Sequence, residues 1–401
     1  MNHDQSIHEL EPPVAQGAIQ KKFRTGDVII ISLTHLLHDI YSSFLAPILP
    51  LIIEKLGISM SMAGVLSVIQ RIPSLFNPFV GILAENMRIR YLVIFAPAIT
   101  TISMSLIGWA PSYAILVILL FTAGISSTMF HVPSPVMIKQ ISGVHIGRGM
   151  SFFMVGGELA RTLGPLIIVA AVTQWGLEGT YRLIPFGLAA SATLFLRLRK
   201  MNIREEIKKM PRKGHYLNVF KTFSPVFMVL GLILLFRGGM KAALTLYLSV
   251  YLTDQGHSLW YAGAALSAVQ LAGVLGTSLA GTISDKIGRR TTMVIITGAS
   301  PLLMFLFLNG PDVLMLPALI STGFFLISTG PVMLAVIHEL ESRHLPFLNG
   351  IFMTLNFGVS SLMLMVVGIL SDAFGLHITY QIANLLALLA IPVAFFIPRK
   401  K

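Results

Sequence analysis

Apolar runs of about twenty residues alternate with short polar stretches along the whole chain, and a helix crossing a bilayer needs about that many apolar residues. The pattern predicts twelve spans, over 27–53, 59–84, 91–109, 113–137, 148–172, 179–198, 224–252, 259–283, 291–309, 312–336, 346–370 and 376–397. An outer-membrane barrel would show alternating segments of about ten residues instead. The stretch "RKMNIREEIKKMPRKGHYLNVFKTF" at 199–223 is the longest polar interruption and separates two sets of six spans. The expected organisation is therefore a polar tail over 1–26, a six-helix half over 27–198, a basic linker over 199–223 and a second half over 224–401.

Composition agrees. Of 401 residues, 55% are hydrophobic and 11% charged, with a mean hydropathy of +0.80. Soluble domains carry about 25% charged residues, so an all-α membrane protein is expected. The net charge of +12 is explained by its placement. With both termini cytoplasmic, the inside segments hold Lys21, Lys22, Arg24, Arg88, Arg90, Lys139, Arg148, the linker, Lys286, Arg289, Arg290, Arg343 and the final "RKK". The outside loops hold little more than Lys55 and Arg182. That asymmetry predicts this orientation in a cytoplasmic membrane, the inner membrane of a bacterium. The basic charge is then topological, and no nucleic-acid partner is expected. The linker can touch anionic lipid.

The first 24 residues hold no apolar run, so no signal peptide is expected and the segment reads as a mobile tail. There is no cysteine, which excludes disulfides, thiolate metal sites and thiol nucleophiles. Nucleotide-binding loops, H-E-x-x-H and G-x-S-x-G are missing, and the loops are too short for a catalytic domain. An enzyme or ATP-driven pump is not expected, nor is a cofactor.

The halves repeat. "GILAENMRIR" at 81–90 and "GTISDKIGRR" at 281–290 each follow the second span of their set, with glycine first, a carboxylate fifth and arginine tenth. Repeated six-span halves imply a site between them near the midplane. The decamers resemble the G-x-x-x-D-x-x-G-R-[RK] loop of the major facilitator superfamily. Gly281, Asp285, Gly288, Arg289 and Arg290 fit it, while the first copy keeps Gly81 and Arg90 and has Glu85 for the aspartate. The resemblance implies twelve helices, transport by alternating access, and a cytoplasmic gate at these residues.

"HLLHDIYSSFLAPILPLI", "GISSTMFHVPSP" and "MSFFMVGGELARTLGPL" further resemble spans one, four and five of the fosmidomycin-resistance family of drug exporters. "FHVPSP" departs from that family's F-H-P-E-S. Ala160, Gly164 and Pro165 resemble part of the antiporter motif of span five.

Charges inside the spans carry the functional expectation. Asp39, Arg71, Glu158, Arg161, Arg237 and Lys241 all fall near mid-span. Each would cost about 2.5–3.5 kcal/mol at the bilayer centre, so they are expected to face one another or water. His35 and Asp39, Glu158 and Arg161, and Arg237 and Lys241 share helix faces by spacing. Two carboxylates against four cations predict a cavity suited to anions, with His35, Arg71, His131, Arg161, Arg237 and Lys241 on the substrate. Arginine forks match phosphonate, phosphate or carboxylate groups. A carboxylate whose surroundings alternate gains and loses a proton, and Asp39 and Glu158 are the candidates.

The expected function is proton-coupled efflux of small anionic or amphipathic compounds by a monomer, its partners being substrate, protons and the lipid bilayer. Three bland readings stand beside it. Glu158–Arg161 can be an intrahelical pair holding span five, Arg71 part of a packing network, and His131 a satisfied core histidine. Pro47, Pro50, Pro73, Pro78, Pro133, Pro135 and Pro165 bend the spans or merely shape the bundle. Import of an organic anion, siderophore or lipid would use the same cavity. A divalent-metal exporter would use His35, His38 and Asp39, against the repulsion of the arginines.

Overall fold

A bilayer core offers the peptide groups no water, so every backbone N–H and C=O must find a partner within the chain, and a helix satisfies them locally. The computed structural model describes residues 23–77, 89–199, 216–340, 342 and 345–398, and the elements among them are helical. Twelve helices follow one another: α1 Thr25–Leu56, α2 Met60–Phe76, α3 Arg90–Trp109, α4 Tyr113–Ile141, α5 Ile146–Trp175, α6 Ile184–Leu198, α7 Asn218–Asp254, α8 Leu259–Ile287, α9 Arg289–Asn309, α10 Asp312–His338, α11 Phe347–Phe374 and α12 Leu376–Ala394. Ten are long and apolar enough to cross a bilayer; α2 and α6 are shorter among the described residues. Residues 1–22 of the expected tail, 200–215 of the expected linker, Pro78 and the expected gate residues Gly81 and Glu85 lie outside the described residues. The α7 helix is already wound at Tyr216, inside the stretch expected to be linker. Serines 59, 112 and 258 begin α2, α4 and α8 by accepting a hydrogen bond from the backbone amide three positions on.

Seven helices are interrupted; α3 pauses at Leu106 and α12 at Leu389, and the other five breaks concern the site. The α1 helix pauses after Ser42, and α2 tightens to a 3₁₀ turn after Arg71. The α4 helix breaks after His131, and α10 after Ile327. Ala243–Tyr247 of α7 form a π-turn directly after the α-helical stretch that ends at Ala242. Pro73, Pro133 and Pro331 account for three of these breaks. The π-turn has no nearby proline; Tyr380 Oη donates to the Ala243 carbonyl at 2.7 Å, meeting a group that the turn displaces.

The two sets of six helices meet at the end that carries Leu56 and Phe374. There α2 packs on α11 and α5 on α8. Asp372 accepts from the first amides of α2, Met60 N at 2.7 Å and Ser61 N at 2.9 Å. Tyr247 Oη lies between the Met60 carbonyl at 3.0 Å and the Leu364 carbonyl at 2.8 Å. This seam depends on two glycines. A Cβ at Gly64 would stand 2.6 Å from Leu364 O, and one at Gly368 would stand 2.6 Å from Met60 O.

Candidate functional site

Between the halves lies a cavity of about 500 Å³, walled by residues next to four of the five breaks, Ser42, Arg71, His131 and Ile327, and by Ala242 at the fifth. Discontinuous helices are a recurrent way to expose polar groups at mid-membrane. Of the residues expected on the substrate, Arg71, His131, Arg161 and Lys241 line it, together with Asp39. Arg71, Arg161 and Lys241 are accessible to water although deep within the helices, because they face this space. One carboxylate, Asp39, thus shares the cavity with three basic side chains, and Lys241 is within electrostatic range of Arg71, Arg161 and Arg237.

Asp39 is held by three imidazoles. His38 Nδ1 is 3.0 Å and His131 Nε2 3.1 Å from Oδ1, and His35 Nε2 is 3.2 Å from Oδ2. Small residues of α5 admit this cluster. A Cβ at Gly157 would stand 2.6 Å from the His35 ring, and one at Gly156 2.5 Å from the Ser32 carbonyl. Close packing lets His35 stack on Phe153, centroids 3.9 Å apart, and meet the Phe153 carbonyl through Nδ1 at 2.7 Å.

The hydrogen bonds behind the rings assign their protons. Ser126 Oγ donates to Ala96 O at 2.6 Å, and Thr100 Oγ1 donates to Ser126 at 2.7 Å. Thr100 is left to accept, at 2.9 Å, from His38 Nε2, which therefore carries a hydrogen. His35 Nδ1 carries one too, since it faces a carbonyl. A neutral imidazole has a single N–H. Yet both rings approach Asp39 through their other nitrogen, where two lone pairs would repel. His131 can meet Asp39 as a neutral ring. The contacts are complete when His35, His38 and Asp39 together hold two protons more than two neutral rings and a carboxylate.

The Nε2 atoms of His35 and His131 and an Asp39 oxygen also lie within 4.8 Å of one another, a spacing that would admit a cation. His38, the other histidine expected in such a ligand set, has its nitrogens on Asp39 and Thr100. Three cations on the same walls oppose a metal there.

Glu158 stands apart from the cluster. It pairs within α5 with Arg161 Nη1 at 3.3 Å, and the cavity is lined by Arg161. Arg237 is set apart too, 4% exposed. Its guanidinium donates to Thr329 Oγ1, to Ser300 Oγ at 3.1 Å and to Phe325 O at 3.3 Å. In the second decamer, Gly288 turns the chain with φ +91° and Arg289 bonds Asp285 at 2.6 Å and Glu339 at 3.0 Å. Arg290 donates to Ile397 O at 2.7 Å, Gly281 meets nothing within 4 Å of its Cβ position, and Arg90 lies over the Tyr91 ring.

Thr100 and Ser126, which orient His38, were not singled out from sequence. A hydroxyl residue in an apolar span is too common a signal, since most bond their own helix.

The chain matches the sequence profile of the Major Facilitator Superfamily over residues 31–340. It is 27% identical over 404 residues to the fosmidomycin resistance protein of Escherichia coli K12, covering 98% of each chain. It is 23% identical to the MFS-type transporter YfnC of Bacillus subtilis 168, covering 96% of each. Among solved structures it is similar to a bacterial homologue of the human lysosomal transporter Spinster in an inward-facing, unoccupied conformation. The TM-score there is 0.79 at 14% identity, over 94% of this chain and 97% of the other.

Proposed function

Because the chain belongs to the Major Facilitator Superfamily and is an integral membrane transporter, we propose that it exports small anionic or amphipathic compounds in exchange for protons. The observation that carries this reading is Asp39, clasped by His35, His38 and His131 on the wall of a cavity whose other strong ions are cations. An anion entering is attracted by Arg71, Arg161 and Lys241. Protons held at Asp39 and its imidazoles add positive charge to the same space. Charge attraction alone would let anion and protons bind together, so exchange requires that the substrate take the space beside Asp39 that the protonated cluster needs, which makes the two compete. Asp39 carries the proton in this scheme; Glu158 supports Arg161. The resistance named in the Escherichia coli relative favours export of a drug-like anion over import.

In the proposed orientation both termini are cytoplasmic, the protein sits as a monomer in the cytoplasmic membrane, and the seam at Asp372 closes the outer end. The cavity then faces inward. Rocking of the halves about the broken helices opens it outward.

Asp39→Asn tests the scheme. In proteoliposomes the variant should lose transport driven by a pH gradient by about 100-fold, as expected for removing one partner of a hydrogen-bonded charge cluster. Substrate counterflow at equal pH should persist. Gradient-driven transport at the wild-type rate would overturn the assignment.

A further inference from the structure

A second cavity of about 270 Å³ adjoins the central one, and Gly238, Lys241, Ile327 and Ser360 line both. Arg237 lines only the smaller. Its guanidinium is 4% exposed, and its hydrogen-bond partners among the described residues are hydroxyls and carbonyls, with no carboxylate. Its Nε–H has no partner among the described residues. A buried charge without a counter-ion is costly, and an unfilled donor adds to that cost. Lys241, one helical turn further along α7, places a second cation between the two spaces. Around these charges the walls are apolar, including Ile233, Met333 and Phe352, with Asn356 as a neutral polar group.

We infer that this side chamber is a binding subsite for an organic anion with a short apolar substituent, seated between Arg237 and Lys241 with the substituent on Ile233, Met333 and Phe352. The anion supplies what the chamber lacks. Its charge supplies the counter-ion that Arg237 lacks among the described residues and offsets the repulsion between Arg237 and Lys241. The substituent displaces water from an apolar wall of limited size. The subsite rests on the proposal that the central cavity takes anions, and it narrows the substrate class to compounds with one anionic group and one small apolar part. Such chemistry could belong to a free solute or to an anionic lipid. The small volume selects the solute.

The probes are n-alkylphosphonates from methyl to octyl, titrated calorimetrically into the purified full chain in nanodiscs of zwitterionic lipid. Affinity should rise about three- to fourfold per methylene, the increment for burying that group, and then stop rising before octyl as the chamber fills. Met333→Trp occupies the chamber, so hexylphosphonate should weaken at least tenfold more than methylphosphonate. Arg237→Gln should weaken the whole series by about tenfold or more. A series without chain dependence overturns the side chamber alone, as does one that Met333→Trp leaves unaltered. A gain continuing through octyl, with displacement by dioctanoyl phosphatidic acid, overturns the solute in favour of lipid. Failure of every member, methyl included, overturns the anionic cavity itself and the subsite with it.

Discussion

On the wall built by α1, α2, α4 and α5, a carboxylate is met by three imidazoles and shares its space with Arg71 and Arg161. On the facing wall, α7 brings Arg237 and Lys241 and no carboxylate. The first wall consists largely of groups that change charge when a proton arrives. The second carries cations held by hydroxyls and carbonyls, as Ser300 and Phe325 hold Arg237. The division suggests separate work for the two halves. In the proposed scheme the proton-binding groups belong to the first half, and α7 adds Arg237 and Lys241 to the anion-attracting cations Arg71 and Arg161. The seam beneath them is even-handed, since Gly64 presses on the Leu364 carbonyl and Gly368 on that of Met60.

The largest effect should come from breaking the seam. Gly64→Leu and Gly368→Leu each push a side chain into backbone oxygen at a distance no Cβ tolerates. Both should bring gradient-driven transport and counterflow to background, with the Met60 end of α2 and the Phe374 end of α11 held apart in spin-label distance measurements. Activity retained in one variant alone would show that the seam is not symmetric.

The contrast between the walls is sharpened by Lys241→Gln. Losing a charged hydrogen-bond donor to the anion should weaken substrate binding by about tenfold or more. The protons exchanged per substrate, measured with a pH dye inside vesicles, should stay at the wild-type ratio. A changed ratio would place proton storage on the α7 wall as well.

The smallest effect should follow Thr100→Val. This removes the acceptor that holds His38 in its tautomer while Asp39 and the cavity stay in place. Transport should fall about fivefold, the cost of one unsatisfied buried donor, and its pH optimum should move. Ser300→Ala, which touches Arg237 on the other wall, should leave the pH optimum where it is. Matching pH profiles for the two variants would remove the distinction between the walls.

Much of this site was legible in the chain. The decamer "THLLHDIYSS" announces an acid among imidazoles inside a span, and the spacing of His35 and Asp39 already places them together. Pro133 marks the break beside His131, and the double glycine of "VGGELARTLGPL" marks the close approach of α5 to His35. Other features were not legible. Arg237 and Lys241 share a helix face by spacing, yet one is sealed behind α10 hydroxyl and carbonyl groups and the other stands open to water. Glu158 and Asp39 looked equivalent in sequence, but only Asp39 lines the cavity. The π-turn of α7 has no sequence mark at all.

Hydropathy is summed over a window of about twenty residues, so the chain alone decided that it crosses a membrane twelve times and which ions travel with each crossing. Each helix turns by about 100° per residue, so its rotation against its neighbours decides which ion meets which. That rotation is set by packing between segments far apart in the chain, such as Gly157 on His35 and Thr329 on Arg237. The pairing of Asp39 with three rings, and the side chamber at Arg237, therefore exist only in the folded arrangement.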